Sequence, residues 1–171
     1  MRNDFQIRIL QVCVVVRDVE KAARHFEDLL GIGPFSVYTV DSKDMPGVTY
    51  RGLPGDYCVR VAMTKVGGGV IELIENQRGT NIYTEFLEKH GEGIHHIGLI
   101  TDDFDPMMKN FQDRGLEPSL DGPIVGKSTG RFTYFDTEPR VGGILELLDV
   151  PVDVLHRWGF ESFTSDQDKR P

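Results

Sequence analysis

Residues 68–75 read GGVIELIE and residues 142–149 read GGILELLD: a glycine pair, an aliphatic run, and one glutamate, Glu72 or Glu146, at the same place in each. The aliphatic neighbours read as buried strands, so each glutamate carries a carboxylate into surroundings that reject charge. Such a group is tolerated when it is paired, protonated or bound to a cation. Side chains alternate across a strand, so Glu72 shares a face with Val70 and Ile74, and Glu146 with Ile144 and Leu148.

A second echo lies upstream. Gln11 opens QVCVVVRD and His96 opens HIGLITDD, each a polar, ligand-capable residue before an apolar strand that ends at an acidic helix start. The spacing from Gln11 to Asp18 equals that from His96 to Asp103. Gln11, Glu72, His96 and Glu146 therefore occupy two equivalent pairs of positions in two half-chains.

Working outward, the pattern predicts a strand over residues 9–16, a helix over 19–30 capped by Asp18 and stopped by Gly31, and strands over 35–40, 57–65 and 70–75. A Gly/Pro-rich connection (Pro46, Gly47, Gly52, Pro54, Gly55) separates the first two of those three strands. A helix over 82–89 leads to a repeat of the same order: strand 94–101, helix 106–114 with Asp105 and Pro106 at its start, then strands 123–127, 131–135 and 144–149. The expected organisation is a first βαβββ module over 8–76, a linking helix over 77–92, a second βαβββ module over 93–150, and a tail over 151–171. That tail, with Trp158, reads as a short helix or extended arm ending in disorder.

With 171 residues, 39% of them hydrophobic, the chain can bury a substantial core. A net charge of −8 argues against a chain-wide attraction to nucleic acid or anionic membrane. No secretory signal or membrane-spanning run is evident, and the two cysteines, Cys13 and Cys58, form no CxxC pattern, so a reduced cytoplasmic protein is expected.

If the halves curl toward each other about a pseudo-twofold axis, the four polar residues meet in one cavity. One imidazole nitrogen, two carboxylates and one amide oxygen suit a divalent metal with positions left for water or substrate. Two carboxylates also balance a dication's charge. Zn, Ni, Co, Mn and Fe(II) all accept such mixed N/O ligation. The bland alternative is a solvent-facing position for either glutamate, a core or surface position for His96 and a strand edge for Gln11, and the recurrence is what favours the metal reading. Adjacent His95 is expected on the opposite face of its strand, and Met107, Met108 and Phe111 in the core.

VVVRDVEKAARHFEDLLGIGPF, GGVIELIE, GEGIHHIGLITDD and GGILELLD, taken in this order, resemble the vicinal oxygen chelate superfamily of glyoxalases, bleomycin resistance proteins and dioxygenases. The likeness is nearest to the methylmalonyl-CoA epimerase-like and glyoxalase I-like members. It implies an α+β fold in which paired βαβββ modules form a cupped mixed β-sheet around a metal held by Gln11, Glu72, His96 and Glu146. It further implies a homodimer and an isomerase, epimerase or lyase acting on a small carbonyl or acyl-thioester substrate through a metal-stabilised enolate, with Glu146 or Glu72 as the base. A lactoylglutathione lyase of the glyoxalase I kind and a non-catalytic ligand-binding protein of the resistance kind are the alternatives. Extradiol dioxygenases and fosfomycin resistance proteins carry a histidine where this chain has Gln11. Where the epimerase carries a second glutamate base on its third strand, this chain has Arg60, whose guanidinium stays protonated. Arg60 and Arg131 are read either as binding a substrate carboxylate or enolate oxygen, or as pairing with neighbouring acids.

Overall fold

The structure, a computed structural model, describes residues 5–101, 103–124 and 130–157, with the side chains of Val152, Asp153 and Arg157 excepted. One mixed sheet of ten strands dominates it, in the order β2-β5-β6-β1-β7-β10-β9-β8-β3-β4. The strands are β1 (Ile7–Val16), β2 (Ser36–Asp41), β3 (Thr49–Tyr50), β4 (Leu53–Pro54), β5 (Cys58–Val66), β6 (Gly69–Arg78), β7 (Gly93–Thr101), β8 (Pro118–Pro123), β9 (Arg131–Phe135) and β10 (Ile144–Asp149). The helices that position the site are α1 (Val19–Leu30), α2 (Ile82–His90) and α3 (Phe104–Gln112). The fold is α+β, and its sheet curls into a half-barrel, as the resemblance implied.

The two central strands, β1 and β7, run antiparallel; β6 lies parallel to β1 and β10 parallel to β7. The chain is thereby brought into two related halves whose central strands touch. Helix α1 begins where Asp18 accepts a hydrogen bond from the Lys21 amide and ends at Gly31 in the left-handed region, as its sequence predicts. Its apolar stripe buries Val19 and Ala23 against Val16, Ala62 and Leu73 on the convex face of the sheet. Helix α3 does the same in the second half, with Phe104 and Met107 packed on Phe135 and Leu147. Burial of each large side chain of this kind contributes about 1.5–3 kcal/mol. Helix α2 takes the other side: Ile82 and Tyr83 join Cys13, Val15, Ile74 and Tyr134 in a concave-side core.

Three expectations change. The strand predicted over 123–127 is replaced by one at Pro118–Pro123, where Leu120 is buried opposite Tyr134, and residues 125–127 lie outside the described residues. Prolines bound that strand at both ends, where their missing N–H costs no ladder bond. Helix α3 starts two residues before Pro106, with Asp103 at its cap position, while Asp105 pairs with Arg131. The Gly/Pro-rich connection is more than a loop. Its short hairpin, β3 and β4, crosses to the second half and pairs with β8 there. Arg51 at its tip donates to Glu85 of α2 and to Asp136 just beyond β9, and its amide bonds the Ser119 carbonyl. The tail begins with the expected short helix, Val152–Arg157, which buries Val154 and Leu155; Trp158 and the rest of the tail lie outside the described residues.

Candidate metal centre

Two rows of side chains cross the centre of the sheet. In one, Glu72 of β6 lies beside Cys13 of β1, then His96 and Ile144. In the next, Val70 lies beside Gln11, then Gly98, Glu146 and Tyr134. Exchanging the halves maps Gln11 onto His96, Cys13 onto Gly98, and Glu72 onto Glu146. The repeat in the sequence is thus a repeat in the sheet, and the four residues predicted from it are brought together.

Their polar atoms converge. Gln11 Nε2 donates to Glu72 Oε2 at 3.1 Å and to Glu146 Oε2 at 2.8 Å, and lies 3.3 Å from His96 Nε2. His96 Nε2 lies 3.4 Å from Glu72 Oε2 and 3.3 Å from Glu146 Oε2. All four side chains are buried. Two carboxylates at this depth need positive compensation. Burial works against a His96 imidazolium, yet the neighbouring Cys13 and Glu146 outweigh it and hold its pKa well above the ordinary histidine value. Burial pushes the Cys13 thiol itself up to about 12.

A divalent metal suits this donor set. A cation among these groups replaces the imidazolium proton as the compensating charge, and reversing the Gln11 amide turns an oxygen acceptor inward where Nε2 now points. The Cys13 sulfur, a Glu72 oxygen and a His96 ring nitrogen lie within 4.8 Å of one another, which adds Cys13 to the groups that could hold an ion.

Space for the cluster comes from Gly98. A Cβ there would lie 2.5 Å from Gln11 Cγ and 3.0 Å from Glu146 Oε2, so only glycine leaves the two side chains in place. Sequence reading missed Gly98 and Cys13, although the same offset that relates Gln11 to His96 relates these two small residues.

The strand backbone adds a second device. The pairing of β1 with β7 skips Leu10 on one strand and His95 on the other, so an extra residue precedes each of Gln11 and His96. Bulges of this kind re-aim side chains beside functional sites. The expectation that His95 faces away from His96 is overturned by this bulge: His95 Nδ1 lies 2.9 Å from His96 Nδ1, and both rings are buried. Burial first, and then the like charge on His96, take the His95 pKa down to about 2, so its ring is neutral.

Gln11, Glu72 and Glu146 floor a cavity of about 740 Å³, with His96 buried against them. Val59, Val61, Ile74, Phe132 and Leu148 make its walls largely apolar, Tyr83 and Tyr134 share a 3.1 Å hydrogen bond inside it, and Lys65 stands at its rim. Arg60 and Arg131 are not in it. Arg60 alternates with cavity-lining Val59 and Val61, so it emerges on the convex face and pairs with Glu20 of α1. Arg131 likewise alternates with Phe132, stacks over Phe104 at 4.1 Å and pairs with Asp105. Neither arginine lines the cavity, and each makes the pairing with a neighbouring acid that was one of its two expected readings.

Comparison with known proteins agrees with this architecture. The uncharacterised protein YqjC of Bacillus subtilis (strain 168) is 22% identical over 142 residues, covering 83% of this chain and 91% of that protein. A variant methylmalonyl-CoA epimerase of Streptomyces coelicolor, in complex with 2-nitronate-propionyl-CoA, superposes with a TM-score of 0.61 at 25% identity, covering 82% of this chain and 92% of the other. The methylmalonyl-CoA epimerase of Mycobacterium tuberculosis has a TM-score of 0.63 at 18% identity, covering 91% and 97% of the two chains. Residues 10–135 match the profile of the Glyoxalase/Bleomycin resistance protein/Dioxygenase superfamily, and the chain belongs to that superfamily.

Proposed function

We propose that the protein is a metal-dependent enzyme that moves a proton at the carbon beside the carbonyl of an acyl thioester, an isomerase or epimerase in overall effect. The observation that carries this reading is the convergence of two buried carboxylates and Gln11 on the floor of a largely apolar cavity, with the His96 ring buried against them. Gln11, Glu72, His96 and Glu146 would hold the ion. When bound, the ion supplies a Lewis acid that stabilises negative charge on substrate oxygens.

The chain's own residues account for the rest. The apolar walls receive the acyl group and exclude water, which strengthens every electrostatic contact at the floor. Glu72 or Glu146 takes the proton beside the carbonyl, since each presents a carboxylate oxygen to the cluster and a carboxylate returns a proton as readily as it takes one. Tyr83 donates to Tyr134, which leaves the Tyr134 hydroxyl proton for an oxygen in the cavity. The S. coelicolor epimerase, in complex with 2-nitronate-propionyl-CoA, supports the thioester as substrate class.

The test follows deuterium from solvent into the α-carbon of acyl-CoA thioesters, with 2-oxo acids alongside, using protein reconstituted with Co(II), Ni(II), Mn(II) or Zn(II). Exchange that needs metal and is lost in Glu146→Gln and His96→Ala, with the fold retained by circular dichroism, supports the proposal. Protein that binds none of these ions, or that binds one and exchanges no substrate proton, refutes it.

A further inference from the structure

Resting on the metal reading, we infer that His95 is a positioning residue: it accepts the Nδ1 proton of His96 and so commits His96 Nε2 to the cluster. The ground is geometric. His96 Nε2 faces Gln11, Glu72 and Glu146 at 3.3–3.4 Å, while its Nδ1 meets His95 Nδ1 at 2.9 Å. Only one proton fits between two nitrogens at that distance. A ring nitrogen that binds a cation carries no proton, so the neutral His96 ring must keep its proton on Nδ1, and His95 Nδ1 must accept it.

The surroundings suit that assignment. His95 sits in an aromatic box, with ring centroids 5.1 Å from Tyr83, 5.0 Å from Phe86 and 5.1 Å from His96, which fixes the ring plane. Among the described residues its buried Nε2 has no hydrogen-bond partner, and the Ile82 backbone is the one main-chain group that interacts with the ring. The bulge explains why it is there at all: without the extra residue, strand alternation would send consecutive side chains to opposite faces. In the first half the equivalent bulge residue is Leu10, an apolar side chain behind Gln11. The two halves share the bulge, and only the histidine ligand is backed by an acceptor. An amide has no tautomer to set.

Groups of this kind behind a metal-ligating histidine typically change metal affinity about 10–100-fold when removed. Phenylalanine fills the aromatic box and deletes the acceptor; asparagine places an oxygen near the former Nδ1. Metal-free protein labelled with ¹⁵N in its histidine rings is examined by NMR for through-hydrogen-bond coupling between the two Nδ1 atoms, and Zn(II) and Co(II) affinities are measured by competition with a chelator. The expected result is a detectable coupling in the wild-type chain, a fall of about 10–100-fold in affinity in His95→Phe, and recovery in His95→Asn. Absence of the coupling, or an unchanged affinity in His95→Phe, overturns the inference. A wild-type chain that shows the coupling yet binds no metal removes the metal reading, and this role with it. The coupling itself needs no metal and no folded variant, so the two failures are distinguishable.

Discussion

Replacing Gly98 by alanine tests whether the cluster is as tightly built as its distances imply. An added Cβ would lie 2.5 Å from Gln11 Cγ, 3.1 Å from Gln11 Cδ and 3.0 Å from Glu146 Oε2. Carbon atoms in contact settle about 3.5–4.0 Å apart, so the Gln11 side chain must retreat by about 1 Å. Its backbone cannot follow, because β1 is hydrogen-bonded to β6 on one side and β7 on the other. Overpacking of this size costs about 1–3 kcal/mol. Metal sites tolerate deviations of about 0.2 Å, so a retreat of about 1 Å withdraws Gln11 and disturbs Glu146, and a loss of about 10–100-fold in metal affinity follows. The control is Gly143→Ala, where the new methyl meets nothing within 4 Å and the backbone is not left-handed. It should leave both quantities nearly unchanged. Urea unfolding of the metal-free chains and chelator competition with Co(II) measure the two effects. Wild-type affinity and midpoint in Gly98→Ala, or an equal loss in Gly143→Ala, would refute the reasoning.

Four further outcomes are expected. The His96 pKa is raised in the metal-free chain while a ligand must be neutral, so binding expels a proton, and affinity should fall about tenfold for each pH unit below that pKa and level off above it; a flat profile on titration rejects the assignment. For the same reason the imidazolium stabilises the metal-free fold fully below the unfolded histidine pKa, near about 6.5, and this contribution is lost as pH rises through the raised value. Urea midpoints of the metal-free protein should therefore decline on the alkaline side. Arg60→Gln should leave metal affinity and proton exchange intact, since its side chain engages Glu20 on the convex face; lost exchange in a folded variant would return Arg60 to the site. Arg51→Ala removes the ties to Glu85 and Asp136 while leaving a side-chain-bearing residue at φ 48°, so amides of the β3–β4 hairpin should exchange faster than those of β1, and equal protection in variant and wild type would contradict this.

The four clustered residues were legible because duplication wrote them twice, and because a charge inside an apolar strand is conspicuous even without neighbours in view. What stayed hidden depends on pairing. Alternation separates Arg60 from Val61, but deciding which of them faces the cavity requires the register that sets Met63 against Glu72. The bulge at His95 is invisible in one strand alone, since it exists only as a mismatch between β1 and β7. Gly98 looks like any strand glycine until Gln11 and Glu146 flank it. The β3–β4 hairpin, two residues per strand amid glycines and prolines, carries too short a pattern to read, and its partner is remote in sequence: Tyr50 pairs with Leu120 of the other half.

That hairpin also decides how the sheet meets the outside. Were the halves equivalent, the sheet would end in matching strands, β2 and β8, each offering a row of unpaired backbone groups to any passing strand. Instead β8 is covered, and the far end is β4, a two-residue strand ending in Pro54, which has no N–H to give. Among the described residues β2 keeps a neighbour on one side only. Among the described residues, β2 is therefore the one long open edge, and two copies joined edge to edge there would leave no second long edge for a third.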